Sequence, residues 1–203
     1  EEGDYLFYKE DKNKNHFYLD ITEKNISNAF SKKHIQEIKN NKNIKIINTR
    51  KQIEEFFNNI DKEKAKRLAQ IVGFNMGDGH ISFTRPSSKR EQYPSVSFVG
   101  ENKDMEKLKQ DIQELGFKSC LIKKYSEYSY LNLKGIFGRI LMALECPIGD
   151  KVSKSFLVPT WILNSDKEIK SHFLKGLFGA ELSKTRIHQN NPRDIKSFTF
   201  AQN

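Results

Sequence analysis

The chain has 203 residues, and 35 Lys and Arg against 26 Asp and Glu leave a formal charge of +9. That size allows one ordinary domain or two small ones. The basic excess favours a polyanionic partner, because Lys and Arg displace counterions from phosphates, with a Lys-rich solvated surface as the alternative. No stretch approaches the roughly 18 apolar residues of a membrane span. The amino end EEGDYLFYKED lacks the basic start, apolar stretch and cleavage site of a signal peptide, and it lacks a Met, as a fragment or processed product would. Cys120 and Cys146 are isolated and offer neither metal spacing nor a disulfide framework, which points to a reducing, intracellular setting such as the cytoplasm.

In chain order, YLFY and HFYLDI flank the polar DKNKN turn and predict a hairpin over 5–21. A short helix follows at about 31–39, then a strand IKIIN at 44–48, then a helix after Thr49 with Ile53, Phe56, Phe57 and Ile60 at helical spacing. Residues 1–60 therefore read as a small α/β segment whose residues do not declare a role.

A second unit spans 61–163. KEKAKRLAQIVGFNMG predicts a helix that finishes in a glycine-containing stretch. GHISFTR (79–85) and YPSVSFV (93–99) alternate polar and apolar residues around the turn SSKREQ, which predicts two strands. A helix at about 103–115 carries Met105, Leu108, Ile112 and Leu115 on one face and stops at Gly116. SCLIKKYS and YLNLKG supply two more strands, and GIFGRILMALE a further helix. The expected class is α+β, in the order αββαββα. At 164 the pattern restarts: Ser165 and Glu168 have capping-box spacing, IKSHFLKGLFGAELSKTRI follows, and KSFTFAQN (196–203) reads as a strand of a second, truncated copy.

The two helix ends IVGFNMGDGHIS (71–82) and LKGLFGAELSKT (174–185) invite comparison. Each has a mid-helix glycine, Gly73 or Gly176, and an acid five residues later, Asp78 or Glu181. Small residues let two helix backbones approach closely. Side by side, the helices would bring both carboxylates to one point beneath the sheets, an arrangement suited to divalent ions and phosphodiester hydrolysis. Taken singly, Asp78 reads as a turn acid and Glu181 as a surface carboxylate.

Both segments resemble the LAGLIDADG motif of the homing endonucleases. The stretch CPIGDKVSKSFLVPTWI (146–162) is similar to the Gly-x-Lys and Val-Pro-x-Trp-Ile run that precedes the second motif in double-motif members of archaeal type, and FLKGLF matches their usual lead-in. The resemblance covers about 61–203. It implies a site-specific double-strand DNA endonuclease, with Asp78 and Glu181 holding Mg²⁺ or Mn²⁺ and Lys184 helping to polarise water or stabilise charge. The complete protein would be a monomer acting on double-stranded DNA. Two departures stand in the second motif: Leu182 replaces the preferred glycine and Gly179 the preferred acid. They leave open a binding protein without cleavage, a maturase or regulator. EEGDYLFY resembles the Gly-Asp-Tyr segment that closes part of the splicing domain in many inteins, which leaves open the endonuclease part of an intein.

The same resemblance implies a curved sheet in the DNA major groove. By strand phase, Ile81 and Phe83 would pack on the helices and leave His80, Ser82 and Thr84 outward, while Val96 and Phe98 are buried and Ser95 and Ser97 exposed. Arg85, Lys89, Arg90, Lys123 and Lys124 are candidates for phosphate or guanine contacts, and each also suits a plain solvent-facing role. Trp161 and Phe156 read as core residues.

Overall fold

The computed structural model describes residues 19–83, 93–117, 121–125, 128–151 and 155–181, and of residues 121, 122, 124, 125, 180 and 181 the backbone alone. The hairpin expected at 5–21 and the strand at 196–203 lie outside the described residues, apart from 19–21.

Three capped helices open the described chain. Thr22 and Asn25 form a reciprocal capping box for α1 (Glu23–Asn28), and Ser31 caps α2 (Lys32–Lys39). Asn43 caps α3 (Ile44–Asn58) by accepting a 3.2 Å hydrogen bond from the Ile46 N–H. The run IKIIN is thus the start of a helix and not a strand. Its residues bury at helical spacing: Ile46, Ile53 and Phe57 face inward while Ile44 is 72% exposed. Three isoleucines in five residues are too short a pattern to separate the two readings, and the polar cap decides between them. Among the described residues of 19–60 there is no strand, so the segment expected to be α/β is helical there.

These helices share one core with the elements that come after them: Ile26, Phe30, Ile46, Ile53 and Ile60 belong to the same buried cluster as Leu68, Phe98 and Ile140. Asp61 then caps α4 (Lys62–Gly77) through the Lys64 N–H at 2.8 Å. The chain continues through β1 (His80–Phe83), β2 (Pro94–Glu101), α5 (Asn102–Glu114), β3 (Leu121–Tyr125), β4 (Tyr128–Lys134) and α6 (Ile136–Ala143). This is an α+β unit in the expected αββαββα order. Gly116, at φ 97°, ends α5 as expected.

The sheet is antiparallel in the order β1-β2-β4-β3. Ile81, Val96, Phe98, Leu131 and Leu133 line its inner face, which α5 and α6 cover with Met105, Leu108, Ile112, Phe137 and Ile140. Phe83 departs from the phase argument: it ends the edge strand β1 opposite Pro94 and is 40% exposed, beyond the reach of the helix layer. From α6, the buried Arg139 donates to the Ala29 carbonyl at 2.7 Å and stacks over Phe30, tying α1 to the core.

A short helix not foreseen, α7 (Thr160–Asn164), buries Trp161, whose indole N–H donates to the Leu144 carbonyl at 3.3 Å. Phe156 is 42% exposed, contrary to its reading as core, because it precedes α7 in extended chain on the surface. The last element is α8 (Lys167–Glu181). Its cap is Asp166, which accepts from the Ile169 N–H at 3.0 Å; Ser165 instead donates to Ile162, so the expected Ser165–Glu168 box is displaced by one residue. Glu168 is taken up by Lys62. No described helix is long and apolar enough to cross a membrane.

Candidate active site

Helices α4 and α8 run side by side. At their amino ends Lys62 bridges Asp166 at 3.0 Å and Glu168 at 2.6 Å. Farther along, a Cβ built on Gly73 would lie 2.1 Å from the Phe173 carbonyl oxygen and 2.8 Å from the Leu177 nitrogen. One built on Gly176 would lie 2.0 Å from the Gln70 carbonyl oxygen and 2.9 Å from the Phe74 nitrogen. Each glycine therefore sits against the residues three before and one after the other, a reciprocal contact of an approximate two-fold axis. Only glycine permits backbones this close. Amino ends bridged and mid-points in contact make the helices run in the same direction, so their carboxyl ends emerge on the same side.

Asp78 caps that end of α4, with φ −93° and ψ 0° and its N–H donating to the Phe74 carbonyl at 3.0 Å. Lys151 reaches the same turn. Its ammonium donates to the carbonyls of Asn75 (3.0 Å), Met76 (3.1 Å) and Gly77. These are the carbonyls a helix end leaves without intrahelical partners, and they carry the negative end of the helix dipole. The loop that supplies Lys151 is held to β1 by the Gly149 N–H, which donates to the Ile81 carbonyl at 2.8 Å. Sequence reasoning used the GDK run for family resemblance and missed Lys151 as a site residue, because nothing in the run reports which carbonyls the lysine faces.

Asn75 adds an unexpected feature. Its side chain is fully buried, and neither its amide nitrogen nor its oxygen has a hydrogen-bond partner among the described residues. A Cβ on Gly79 would lie 2.4 Å from that amide nitrogen, so the group packs against the Asp78–Gly79 turn. Buried amides are ordinarily satisfied, so this one is a polar group that the packing of the turn leaves over.

Glu181 is the last residue of α8, described by its backbone, and Lys184 lies outside the described residues, as do Thr84, Arg85, Lys89 and Arg90. Among the described residues no group of three His, Cys, Asp or Glu could hold a metal. Of the two motif acids, Asp78 alone has a described side chain, and a carboxylate oxygen is the kind of donor a hard divalent ion takes. Cys146 is no competitor as ligand: burial pushes its thiol far above the usual range.

The outer face of the sheet is built in rows. His80, Ser97 and Asn132 pair across β1, β2 and β4, as do Ser82, Ser95 and Lys134, while Val99, Tyr130 and Lys123 pair across β2, β4 and β3. His80 is exposed and Ser82, Ser95 and Ser97 half-buried, while Val96 and Phe98 are buried as expected. Lys123 is exposed opposite Tyr130, whereas Lys124 stands opposite the fully buried Ser129, on the other phase of the strand. Val99, Lys123, Tyr128, Tyr130 and Asn132 line a concavity of about 690 Å³. Tyr128, Tyr130 and Asn132 were missed, although the alternation in YSYLNLK around Leu131 and Leu133 carries their phase.

No protein-family model matches the chain. It is 32% identical over 194 residues to the DNA-directed RNA polymerase subunit Rpo1N of Methanocaldococcus jannaschii, a match covering 87% of this chain and 13% of that protein. It is 33% identical over 150 residues to the replication factor C small subunit of the same organism, covering 67% of this chain and 8% of that protein. The tRNA-splicing ligase RtcB of Methanopyrus kandleri is 29% identical over 148 residues, covering 65% of this chain and 14% of that protein. The chain thus spans a small part of the curated relatives it matches. Among solved structures, a variant of the homing endonuclease I-DmoI in complex with its nicked target DNA and manganese aligns with a TM-score of 0.46 and 18% identity, covering 60% of this chain and 64% of that one. The LAGLIDADG meganuclease I-CpaMI bound to uncleaved DNA aligns with a TM-score of 0.31 and 19% identity, covering 41% of this chain and 32% of that one.

Proposed function

We propose that the chain is the core of a LAGLIDADG homing endonuclease that hydrolyses both strands of duplex DNA at a specific site. The observation that carries this reading is the reciprocal seating of Gly73 and Gly176. These glycines are 103 positions apart, and so are Asp78 and Glu181, so the two-fold relation that matches the glycines also matches the acids. Asp78 and Glu181 are the residues that would hold Mg²⁺ or Mn²⁺ between the two helix ends. A divalent ion there supplies Lewis acidity at the scissile phosphate and acidifies water. Lys184 would stand near the phosphate as a fixed positive charge. Lys151 keeps the carbonyls of α4 occupied, so that the turn presenting Asp78 holds its shape. The outer rows of the sheet would lie against base edges, with Ser82, Ser95, Ser97, Tyr130 and Asn132 as polar readers and Lys123 on a phosphate.

The relatives support a further part of the reading. A polymerase subunit, a replication factor and a tRNA ligase have no activity in common, yet each shares a segment of this kind over a small fraction of its length. A segment that recurs in unrelated hosts behaves as an inserted element, and an endonuclease carried within an intein has that property.

The test uses the protein with Asp78→Asn and, separately, Glu181→Gln, on a randomised duplex library with Mg²⁺. Both variants are expected to lose cleavage by at least about 100-fold while still retaining duplexes on a filter. Cleavage that survives Asp78→Asn would overturn the assignment. Wild-type protein that binds but never cuts would instead favour the binding-protein reading that Gly179 and Leu182 leave open.

A further inference from the structure

We propose that α2 and α3 form a helix-turn-helix that inserts α3 into the DNA major groove, a second reading element outside the sheet. The connection has the required form: four residues, 40–43, join the two helices, and Asn41 takes the left-handed conformation at φ 53°. A turn of three or four residues, often containing glycine, joins the helices of this motif, and Asn is among the few side chains that tolerate the left-handed conformation. The helices rest on one core: Ile46 and Ile53 of α3 are buried in it, and Ile35 and Ile38 of α2 pack, partly buried, against it.

The outward face of α3 has the chemistry of a reading helix. Opposite the buried stripe of Ile46, Ile53 and Phe57 stand Ile44, Lys45, Asn48, Lys51 and Gln52, all exposed within the first two and a half turns. Asn and Gln pair in bidentate fashion with adenine, Lys with guanine or phosphate, and an apolar side chain with the thymine methyl. The one acid on this face, Glu55, is in the last turn. The remaining acids are drawn into local pairs: Glu23 and Glu54 by Arg50 at 2.5 and 2.7 Å, and Glu37 by Asn43 at 2.8 Å and Lys33 at 3.8 Å. Lys39 and Lys42 are exposed at the turn, as a phosphate-contacting flank would require.

The unit is also fixed relative to the sheet. The Lys45 ammonium lies 4.8 Å from the centre of the Tyr93 ring, which immediately precedes β2 and its outward Ser95 and Ser97. The first turn of α3 therefore adjoins the end of the sheet where β1 and β2 meet their connecting loop. A duplex lying on the outer sheet face would run on to α3 at one flank. That continuity rests on the nuclease reading; the helix-turn-helix itself does not.

The experiment compares the full chain with Asn48→Ala/Gln52→Ala and with Lys42→Ala/Lys51→Ala, using a random pool of 40-base-pair duplexes. The lysine pair is expected to weaken binding of unselected duplex about 10-fold and to reduce the salt exponent by about 2. The Asn48/Gln52 pair is expected to erase roughly 3–5 base pairs of selected sequence at one flank and leave the rest unchanged. All four positions are exposed, and an unchanged melting curve by circular dichroism will confirm that the variants are folded. Affinity, salt exponent and selected sequence equal to wild type in both variants would overturn the proposal. Wild-type protein that retains no duplex would overturn this proposal and the nuclease reading together. A flank that wild type and Asp78→Asn both select and that Asn48→Ala/Gln52→Ala loses, whatever becomes of cleavage, supports this proposal alone.

Discussion

Gly73 and Gly176 clear the way for each other's helices: a methyl group on the first would strike the Phe173 carbonyl at 2.1 Å, and one on the second the Gln70 carbonyl at 2.0 Å. Neither oxygen can swing aside, since both belong to helix backbone. Alanine at either position must push α4 and α8 apart and loosen the packing of Ile71, Val72, Ile169 and Phe173. Overpacking of this kind costs about 1–3 kcal/mol and more where backbone is struck, so each single variant is expected to lose about 3 kcal/mol in urea unfolding. The two act on one contact, so the double variant should lose less than the sum. A loss below about 0.5 kcal/mol at both positions would mean that the helices do not meet there.

Lys151 joins the tip of one loop to the end of α4 across a chain separation of 76 residues at Asn75. Replacing it with Met keeps the aliphatic stem and removes three charge-assisted hydrogen bonds. Charged hydrogen bonds contribute about 1.5–3 kcal/mol in favourable settings, and a half-buried ammonium with several acceptors should stand near 2 kcal/mol in total. Lys151→Met is therefore expected to melt lower and to exchange the backbone amides around Phe74 and Asp78 faster. Unchanged exchange there would show that the helix end holds without the lysine.

The sequence exposed the central unit well and the site in part, for physical reasons. The αββαββα order was legible because alternation in β2 and β4 and the Met105–Leu108–Ile112 stripe each match one period only. Gly73 and Gly176 were legible because a glycine inside an apolar helix has few uses besides close approach. IKIIN was not, because Ile44, Ile46 and Ile47 suit either element, and the capping by Asn43 is visible only once the backbone is formed. Lys151 and Asn75 were hidden for a different reason. Their significance lies in what they face across the fold, and no local pattern reports a three-carbonyl acceptor 74 to 76 residues away. The segment 19–60 reads as separate in sequence because its packing partners, Arg139 above all, come from α6.

His172 gives the fold a dependence on pH whose sign is set by burial. It sits on α8, and burial first, then Lys175 and Lys66, hold its imidazole below the ordinary value, against the weaker pull of Glu63 and Glu168. Its Nδ1 is buried with no hydrogen-bond partner among the described residues. The unfolded chain takes up this proton near pH 6.5, whereas the folded protein takes it up only at lower pH. Between those points the unfolded state binds more protons, so acid favours unfolding. The contribution of His172 is complete above about pH 6.5 and is lost as the pH falls through that value toward the folded one. Asp166 and Glu168 are also held below their ordinary range, but as carboxylates they act in a more acidic window. Urea unfolding at pH 7.5 and pH 5 is therefore expected to show a smaller drop in stability for His172→Gln than for wild type. The same drop in both would mean that the imidazole titrates normally and that its packing against α4 is looser than its burial implies.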